Sequence, residues 1–211
     1  MESKISTKQK ILDASLDLFA ERGFEAVSVA RIAEAVGIKA PSLYKHYKSK
    51  QAIFDAIIAE MDARYKLQTA QMEMSGENAD ADADIFAKIS EEKLIEMGKG
   101  LFLYFLHDEY VCRFRKMLTV EQYHSEQSAA IYTEQYFDAP LNYQRVMLEM
   151  LSQVGVLRQE NAQIMAMHFY APMYMLLTLC DRQPEREAEA LDMLERHIRQ
   201  FNRFYGRIEE S

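Results

Sequence analysis

The chain has 211 residues and a formal net charge of −8 at pH 7, and it contains only four Pro and seven Gly. This composition favours long helices over strands joined by turns, and the length suffices for a small domain fused to a larger one. No apolar run approaches the roughly 18 residues of a membrane span, and the N-terminus lacks the apolar core of a signal peptide. A cytoplasmic protein without membrane association is expected.

The charge is distributed unevenly along the chain. Residues 1 to 50 hold nine Lys or Arg against six Asp or Glu, whereas the remainder holds sixteen against twenty-seven. A basic end on an acidic body presents one surface to a polyanion and turns the rest away from it. The two cysteines, Cys112 and Cys180, are isolated in sequence, which indicates buried thiols and neither a disulfide framework nor a metal site.

The beginning of the chain predicts two helices in succession. Apolar residues at helical spacing indicate a first helix from Thr7 to Arg22, which Gly23 ends. Ser28 is a favourable N-cap for a short second helix, and Gly37 supplies the left-handed residue that a tight exit requires. The apolar positions of this second helix share one face, and they are Val29, Ile32, Ala33 and Val36.

A third helix follows the second after very few residues. Pro41 is in the first turn of this helix, and Leu43 and Tyr47 are predicted to point inward one turn apart. Two short helices joined by such a tight connection form a helix-turn-helix, the fold of many DNA-binding domains. The sequence therefore predicts an all-α protein with a three-helix DNA-binding domain over residues 1–50 and a helical regulatory domain over 51–211.

The remainder of the chain predicts further helices. Ser49 is expected to cap a long fourth helix, and the acidic stretch from Ser75 to Asp84 is predicted as a loop with a helix starting near its end. Additional helical segments are predicted near 84–106, 109–118, 123–137, 141–154, 162–180 and 185–206. Pro172 falls inside one of them and is expected to bend it.

The third helix is predicted to present a DNA-reading face. If Ile38, Leu43 and Tyr47 face the core, the outward residues are Lys39, Ala40, Ser42, Tyr44, Lys45 and His46. Small side chains allow a helix to approach base edges, while Lys, His and Tyr can hydrogen-bond to bases or phosphates. Lys48 and Lys50 flank the cap of the fourth helix, where a nearby phosphate would favour their charge. A solvated surface is the alternative for each lysine considered alone.

The sequence from Ile32 to Ile57, IAEAVGIKAPSLYKHYKSKQAIFDAI, closely resembles the N-terminal domain of the TetR/AcrR family of bacterial regulators. The resemblance implies a recognition helix at about 40–46, with phosphate contacts from Tyr44 and Lys50. It also implies base or phosphate contacts from Lys39, Ala40, Pro41, Ser42 and His46, and further contacts at Ser28, Val29 and Ala30. Arg31 departs from the family pattern, and Ala40 lacks a side chain that some members use to read bases.

Two apolar seams predict a homodimer. One comprises Leu191, Leu194, Ile198, Phe201 and Tyr205, and the preceding helix carries Ile164, His168, Ala171 and Met175. Together with their symmetry copies, the two helices would form a four-helix interface, which is also how the family dimerises. The alternative is that both seams belong to the monomer's own core. A dimer can span DNA half-sites roughly 34 to 36 Å apart or further, which a single short helix cannot.

The helical body is rich in methionine and aromatic residues that could line a pocket for a small hydrophobic or amphipathic ligand. The candidates are Phe102, Phe105, Phe114, Met117, Tyr136, Phe137, Met147, Met150, Met165, Phe169, Tyr170 and Met173. Most of these side chains can equally be core. In the family, ligand binding in this body moves the fourth helix and so changes the separation of the two DNA-reading heads.

The sequence predicts no catalytic residues, metal site or cofactor. The five histidines are scattered without metal-ligand spacing, and no nucleophile elbow, P-loop or dinucleotide fingerprint is present. The leading hypothesis is a ligand-responsive repressor that binds duplex operator DNA. The alternatives are a helical protein-interaction module that has lost DNA binding and an all-helical enzyme. The basic set from Lys39 to Lys50 is required only by the leading hypothesis.

Overall fold

A computed structural model describes residues 6–207, and in this range the regular structure is helical apart from one isolated bridge between Leu157 and Gly206. The α-helices are α1 (Thr7–Arg22), α2 (Val29–Val36), α3 (Ala40–Leu43), α4 (Lys50–Gln71), α5 (Ala79–Phe86), α6 (Glu91–His107), α7 (Glu109–Glu121), α8 (Glu126–Thr133), α9 (Ala139–Gln153), α10 (Ala162–Cys180) and α11 (Glu187–Tyr205). The predicted all-α fold with an N-terminal helix-turn-helix is confirmed.

The region around residues 75–90 differs from its prediction. The predicted helix near 84–106 is two helices, α5 and α6, and α5 begins inside the acidic stretch that was expected to be a loop. The physical reason is the Asp82 carboxylate, which is buried and accepts hydrogen bonds from the backbone N–H groups of Ser75 and Gly76 at 2.7 and 2.8 Å. The Tyr143 hydroxyl also donates to Asp82, at 2.7 Å, and so ties the loop to α9.

A π-helical turn, Glu134–Asp138, joins α8 to α9 without a break, where the sequence predicted two separate helices. Pro140 follows this turn at the start of α9, and because the helix is continuous here, its missing N–H removes one backbone hydrogen bond. Pro172 lies inside α10, and this helix continues through it. The His197 ring contributes a contact nearby, with its Nε2 2.9 Å from the Phe169 carbonyl oxygen.

The helices pack into two compact units. Unit 1 contains the described residues up to Tyr65 together with Asp108–Tyr132, and unit 2 contains Lys66–His107 together with the chain from Thr133 onward. Unit 1 takes in α7 because this helix packs against α1. The packing boundary therefore does not fall at residue 50; the functional division predicted there stays a prediction.

Unit 1 has a core of aliphatic and aromatic side chains. Phe19 and Phe54 are buried, and the Phe24 ring contacts both, with centroid separations of 5.1 and 5.2 Å. Tyr110 of α7 is also buried, and its hydroxyl donates to the Ile57 carbonyl at 3.0 Å. These contacts fix α1, α4 and α7 around the helix-turn-helix.

Unit 2 is held by a larger apolar cluster and by ion pairs between α6 and α11. The cluster includes Phe102, Leu177, Leu194 and Ile198 among its buried residues. Lys99 of α6 contacts Glu195 of α11 at 2.5 Å. Hydrogen bonds from Lys99 first, and then from Arg199, lower the pKa of Glu195. Between residues 6 and 207, no helix is both long enough and apolar enough to cross a bilayer.

Candidate DNA-binding site

The start and the end of α2 are fixed by the residues that the sequence predicted. The Ser28 side chain caps the helix by accepting from the Arg31 N–H at 3.2 Å. Gly37 adopts φ 75° and ψ 30°, a left-handed conformation that glycine tolerates without strain. The Ile38 N–H then donates back to the Ala33 carbonyl at 2.9 Å, so the chain turns sharply into the next element.

The predicted recognition helix is shorter than the range 40–46. The α-helical part is Ala40–Leu43, and residues 44–46 continue as tight turns, in which the His46 N–H donates to the Leu43 carbonyl at 2.9 Å. No side chain caps α3, and Pro41 stands in its first turn. Because these turns continue the helical winding of α3, the side chains of this segment still divide into an inner and an outer set.

The inner set is the one that the sequence predicted. Leu43 is completely buried, and Tyr47 keeps only 6% of its surface exposed. The outer set is exposed at Lys39, Pro41, Tyr44, Lys45, His46 and Lys48, and half-buried at Ala40 and Ser42. At the start of α2, Ser28 and Ala30 are exposed and Val29 is half-buried. The geometry leaves the predicted residues accessible, and their contacts with DNA stay a prediction.

Lys50 has an internal role that the sequence did not predict. Its ammonium donates to the Phe24 carbonyl at 2.6 Å and to the Glu25 carbonyl at 3.4 Å. The same Nζ lies 4.2 Å from the centroid of the Phe24 ring, within cation–π range. The predicted phosphate contact of Lys50 therefore has to compete with three internal interactions, whereas the side chains of Lys45 and Lys48 are exposed.

Two buried tyrosines of unit 1 differ in how their hydroxyls are bonded. The Tyr110 hydroxyl donates to the Ile57 carbonyl, whereas the buried Tyr47 hydroxyl has no hydrogen-bond partner among residues 6–207. Burial raises the pKa of both groups, and the charge of Glu60 raises both further. Both tyrosines therefore stay neutral across the physiological pH range.

The predicted ligand-pocket residues do not all belong to one unit. Phe114 and Met117 are completely buried in unit 1, on α7, and the predicted pocket that includes them stays a prediction. Their place in unit 1 follows from the packing of α7 on α1, which no local pattern indicated. The other ten residues are in unit 2, and the buried members are Phe102, Tyr136, Met147, Met165 and Phe169.

Within unit 2, the π-helical turn contributes to an aromatic cluster. Tyr174 of α10, which the sequence analysis did not single out, contacts Tyr136, Phe137 and Tyr170 with ring centroids 5.7, 5.5 and 6.2 Å apart. The Tyr170 hydroxyl donates to the Tyr136 carbonyl at 3.0 Å. Phe137 remains 38% exposed, and the remaining candidates, Phe105, Met150 and Met173, are partly buried against the core of this unit.

The predicted dimer seam on α11 is wrong for its central residues. Leu194, Ile198 and Phe201 are buried in the core of the same protomer, and Leu191 and Tyr205 pack against that core. The seam on α10 is accessible, since Ile164 and Met175 are 47% and 53% exposed and His168 and Ala171 are also exposed. The exposed apolar residues of α11 are instead Met193 and Phe204.

One buried carboxylate of unit 1 escaped the sequence analysis. Glu121, the last residue of α7, is 1% exposed and accepts a hydrogen bond from the Phe24 N–H at 2.9 Å. The two residues are 97 positions apart in the sequence, and no local motif connects them. Only the packing of α7 against α1 could have revealed this contact.

Comparisons with known proteins match this part of the chain to a family profile. The profile of the family described as "Bacterial regulatory proteins, tetR family" matches residues 11–57, which contain α1, α2, α3 and the start of α4. Among curated relatives, the class D tetracycline repressor of Escherichia coli is 36% identical over 58 residues, which are 28% of this chain and 27% of that protein. The repressor ComR of Escherichia coli K12 is 36% identical over 91 residues, which are 41% of this chain and 42% of its own length. The matches thus span between a quarter and a half of these relatives.

Solved structures extend the likeness to the whole fold. SmeT, the repressor of the Stenotrophomonas maltophilia multidrug efflux pump SmeDEF, superposes with a TM-score of 0.64 at 18% identity, covering 97% of this chain and 92% of SmeT. A complex of SmeT with triclosan superposes with a TM-score of 0.69, also at 18% identity, covering 96% of this chain and 93% of SmeT. At this identity the likeness establishes the fold alone.

Proposed function

We propose that this chain, a member of the TetR family of bacterial regulatory proteins, is a repressor that binds a palindromic DNA operator as a homodimer and responds to a small ligand. The observation that carries the proposal is the division of side chains around α3. Leu43 and Tyr47 anchor this short helix in the core, while Lys45, His46 and Lys48 are exposed. A supported helix with basic and hydrogen-bonding groups on its outer face is suited to the major groove.

The contacts of the outer face divide by chemistry. Lys45 and Lys48 are exposed cations, suited to phosphates, which set the register on DNA without reading its sequence. Ser42 and His46 can exchange hydrogen bonds with base edges. Tyr44 is 51% exposed, and its hydroxyl suits a phosphate contact. Ser28, Val29 and Ala30 would add contacts from the start of α2.

The homodimer is proposed to form through exposed apolar residues of α10 and α11. Ile164, Met167 and Met175 follow at spacings of three and eight residues along α10 and are each about half exposed. Met193 and Phe204 are eleven residues apart on α11, which places them on one helical face. Water contact with so many large apolar side chains is unfavourable, and a symmetric partner would cover them.

The ligand is proposed to be a hydrophobic or amphipathic small molecule that binds in unit 2. The aromatic cluster at the π-helical turn supports this proposal, because π-helical turns inside helices frequently occur at functional sites. Tyrosines supply hydrogen-bonding groups within an apolar wall. By analogy with the triclosan complex of SmeT, a screen of hydrophobic compounds that includes triclosan is a rational start.

The test of DNA binding begins with selection of duplexes from a random-sequence pool by the purified protein. We expect a few related, palindromic sequences to be enriched. If a dimer neutralises six to ten phosphates, its affinity should fall by about 10³- to 10⁵-fold between 50 and 200 mM salt. Failure to enrich any duplex, or binding that is insensitive to salt, would contradict the proposed function and favour a protein-interaction module.

Substitutions on the outer face test the individual roles. Lys48→Ala should weaken binding to all selected duplexes by a similar factor and reduce the salt dependence, because it removes a phosphate contact. Ser42→Ala and His46→Ala should change the ranking among duplexes. Lys50→Ala, at the other predicted phosphate contact, should also weaken binding to every duplex alike, but the loss of its internal hydrogen bonds should lower stability as well. Equal losses on every duplex from all of these variants would contradict the assigned roles.

A further inference from the structure

The turn between α1 and α2 is held by side-chain hydrogen bonds to both backbone groups of one residue, Phe24. Its N–H donates to the Glu121 carboxylate at 2.9 Å, and its carbonyl accepts from the Lys50 ammonium at 2.6 Å. The Phe24 ring lies against Phe19 and Phe54. Backbone and ring are thus both fixed, and the residues that fix the backbone come from the start of α4 and the end of α7.

The Glu121 side chain packs closely against this turn. A Cβ atom on Gly23 would lie 2.7 Å from the Glu121 Oε1, so with any other residue here the carboxylate would have to move from its present position. Gly23 also has φ 83° and ψ 154°, a conformation essentially restricted to glycine. A carboxylate acceptor makes a stronger hydrogen bond with a backbone N–H than a neutral group does. The turn and the last residue of α7 therefore fit each other specifically.

The turn determines where α2 begins. Four residues after Phe24, Ser28 caps α2, and between them the Val27 side chain is buried with 1% exposure. The Val27 N–H also donates to the Phe24 carbonyl, at 3.4 Å. A displacement of Phe24 would be transmitted over this short segment to Ser28 and Ala30, which are proposed to contact DNA.

We propose that Glu121 is a positioning residue for DNA binding, which acts through the Phe24 N–H on the start of α2. This inference rests on the proposed DNA-binding function and adds a residue that lies outside the matched segment 11–57.

The test compares Glu121→Ala with Glu121→Gln and with Val111→Ala. Alanine leaves the Phe24 N–H without an acceptor, whereas the amide oxygen of glutamine can still accept. Val111 is completely buried near the other end of α7, so Val111→Ala destabilises the same helix without touching the turn. Each variant is measured well below its unfolding temperature, by titration of the duplex selected with the wild type and by hydrogen exchange of the Phe24 amide.

We expect Glu121→Ala to weaken DNA binding by about tenfold and to accelerate exchange of the Phe24 amide by a similar factor. Glu121→Gln should keep most of the DNA affinity and most of the protection of the Phe24 amide. Val111→Ala should change neither the DNA affinity nor the exchange rate of this amide appreciably. The positioning role is excluded if folded Glu121→Ala binds DNA as the wild type does, or if Val111→Ala loses as much affinity. A wild type that selects no duplex refutes the proposed function itself, and that result is distinct from a failure of the variants alone.

Discussion

At the scale of single residues, the hydroxyls of Tyr47 and Tyr110 present a contrast within one core. Both side chains are buried, but within the described part of the chain only the Tyr110 hydroxyl has an acceptor, the Ile57 carbonyl. A buried polar group without a partner loses its hydrogen bonds to water and gains none in return. We therefore expect the hydroxyl of Tyr110 to contribute more to stability than that of Tyr47.

Replacement of each tyrosine by phenylalanine tests this contrast. Tyr110→Phe should lower the free energy of unfolding by about 0.5 to 1.5 kcal/mol, because the Ile57 carbonyl loses its donor. Tyr47→Phe should leave the free energy of unfolding unchanged or raise it by up to about 1 kcal/mol. Urea titrations followed by circular dichroism provide the measurement. A cost for Tyr47→Phe as large as that for Tyr110→Phe would show that the Tyr47 hydroxyl is hydrogen-bonded after all.

Gly23 and Gly37 permit a second comparison of single residues. Both have positive φ, but Gly23 has ψ 154°, a conformation more restricted to glycine than the left-handed one of Gly37, and only at Gly23 would an added methyl group meet another side chain, the Glu121 carboxylate. Gly23→Ala should therefore reduce the free energy of unfolding by about 2 to 3 kcal/mol, against about 1 kcal/mol for Gly37→Ala. Thermal unfolding monitored by circular dichroism gives the difference. If the two substitutions cost the same, neither the backbone conformation of Gly23 nor its closeness to Glu121 constrains the turn.

At the scale of elements, α10 shows two kinds of apolar position. Leu176 and Leu177 face the core of unit 2, whereas Ile164 and Met175 remain about half exposed. The helix is apolar on nearly all sides, which is typical of a helix that is buried around its whole circumference. Because the protomer covers only part of it, an interface is the physical explanation for the remainder.

Charged substitutions on α10 test this interface. The double variant Ile164→Glu and Met175→Glu should shift the protein from dimer to monomer, because two carboxylates per protomer would have to be buried. Sedimentation equilibrium gives the mass. The matched control is Val154→Glu, which alters an apolar residue that is 67% exposed at the end of α9. If the double variant stays dimeric at micromolar concentration, the dimer interface does not include these residues of α10.

At the scale of the whole molecule, the stability of the folded chain is expected to depend on alkaline pH. Burial, followed by the charge of Glu60, raises the pKa of both Tyr47 and Tyr110 above the ordinary value of 10.0. The unfolded chain would release these protons first, so the contribution to stability is full below pH 10 and declines as the pH rises beyond it.

Urea titrations at pH 8 and at pH 10.5 measure this decline. The wild type should lose stability between the two pH values. Tyr110→Phe should lose less, because one of the two tyrosines with a raised pKa is gone. The matched control is Tyr123→Phe, which removes a tyrosine that is 81% exposed. An identical decline in the wild type and in Tyr110→Phe would contradict the assignment.

The sequence by itself determined the helix-turn-helix. Ser28 and Gly37 fix the ends of α2 through bonds to residues within five positions, and Leu43 and Tyr47 lie on the buried side that their spacing predicted. The predicted bounds of α1 were confirmed for the same reason. Caps, left-handed glycines and helical spacing act over a few residues, so they can be recognised in one sequence.

Only the tertiary structure decided which surfaces these helices cover. The spacing of Leu194, Ile198 and Phe201 predicts one apolar face, but spacing is the same whether that face meets its own protomer or a second copy. In the same way, the sequence did not show that Phe114 and Met117 pack in unit 1. The hydrogen bond from Phe24 to Glu121 joins residues 97 positions apart, and the hydrophobic burial that brings them together carries no directional signal in the sequence.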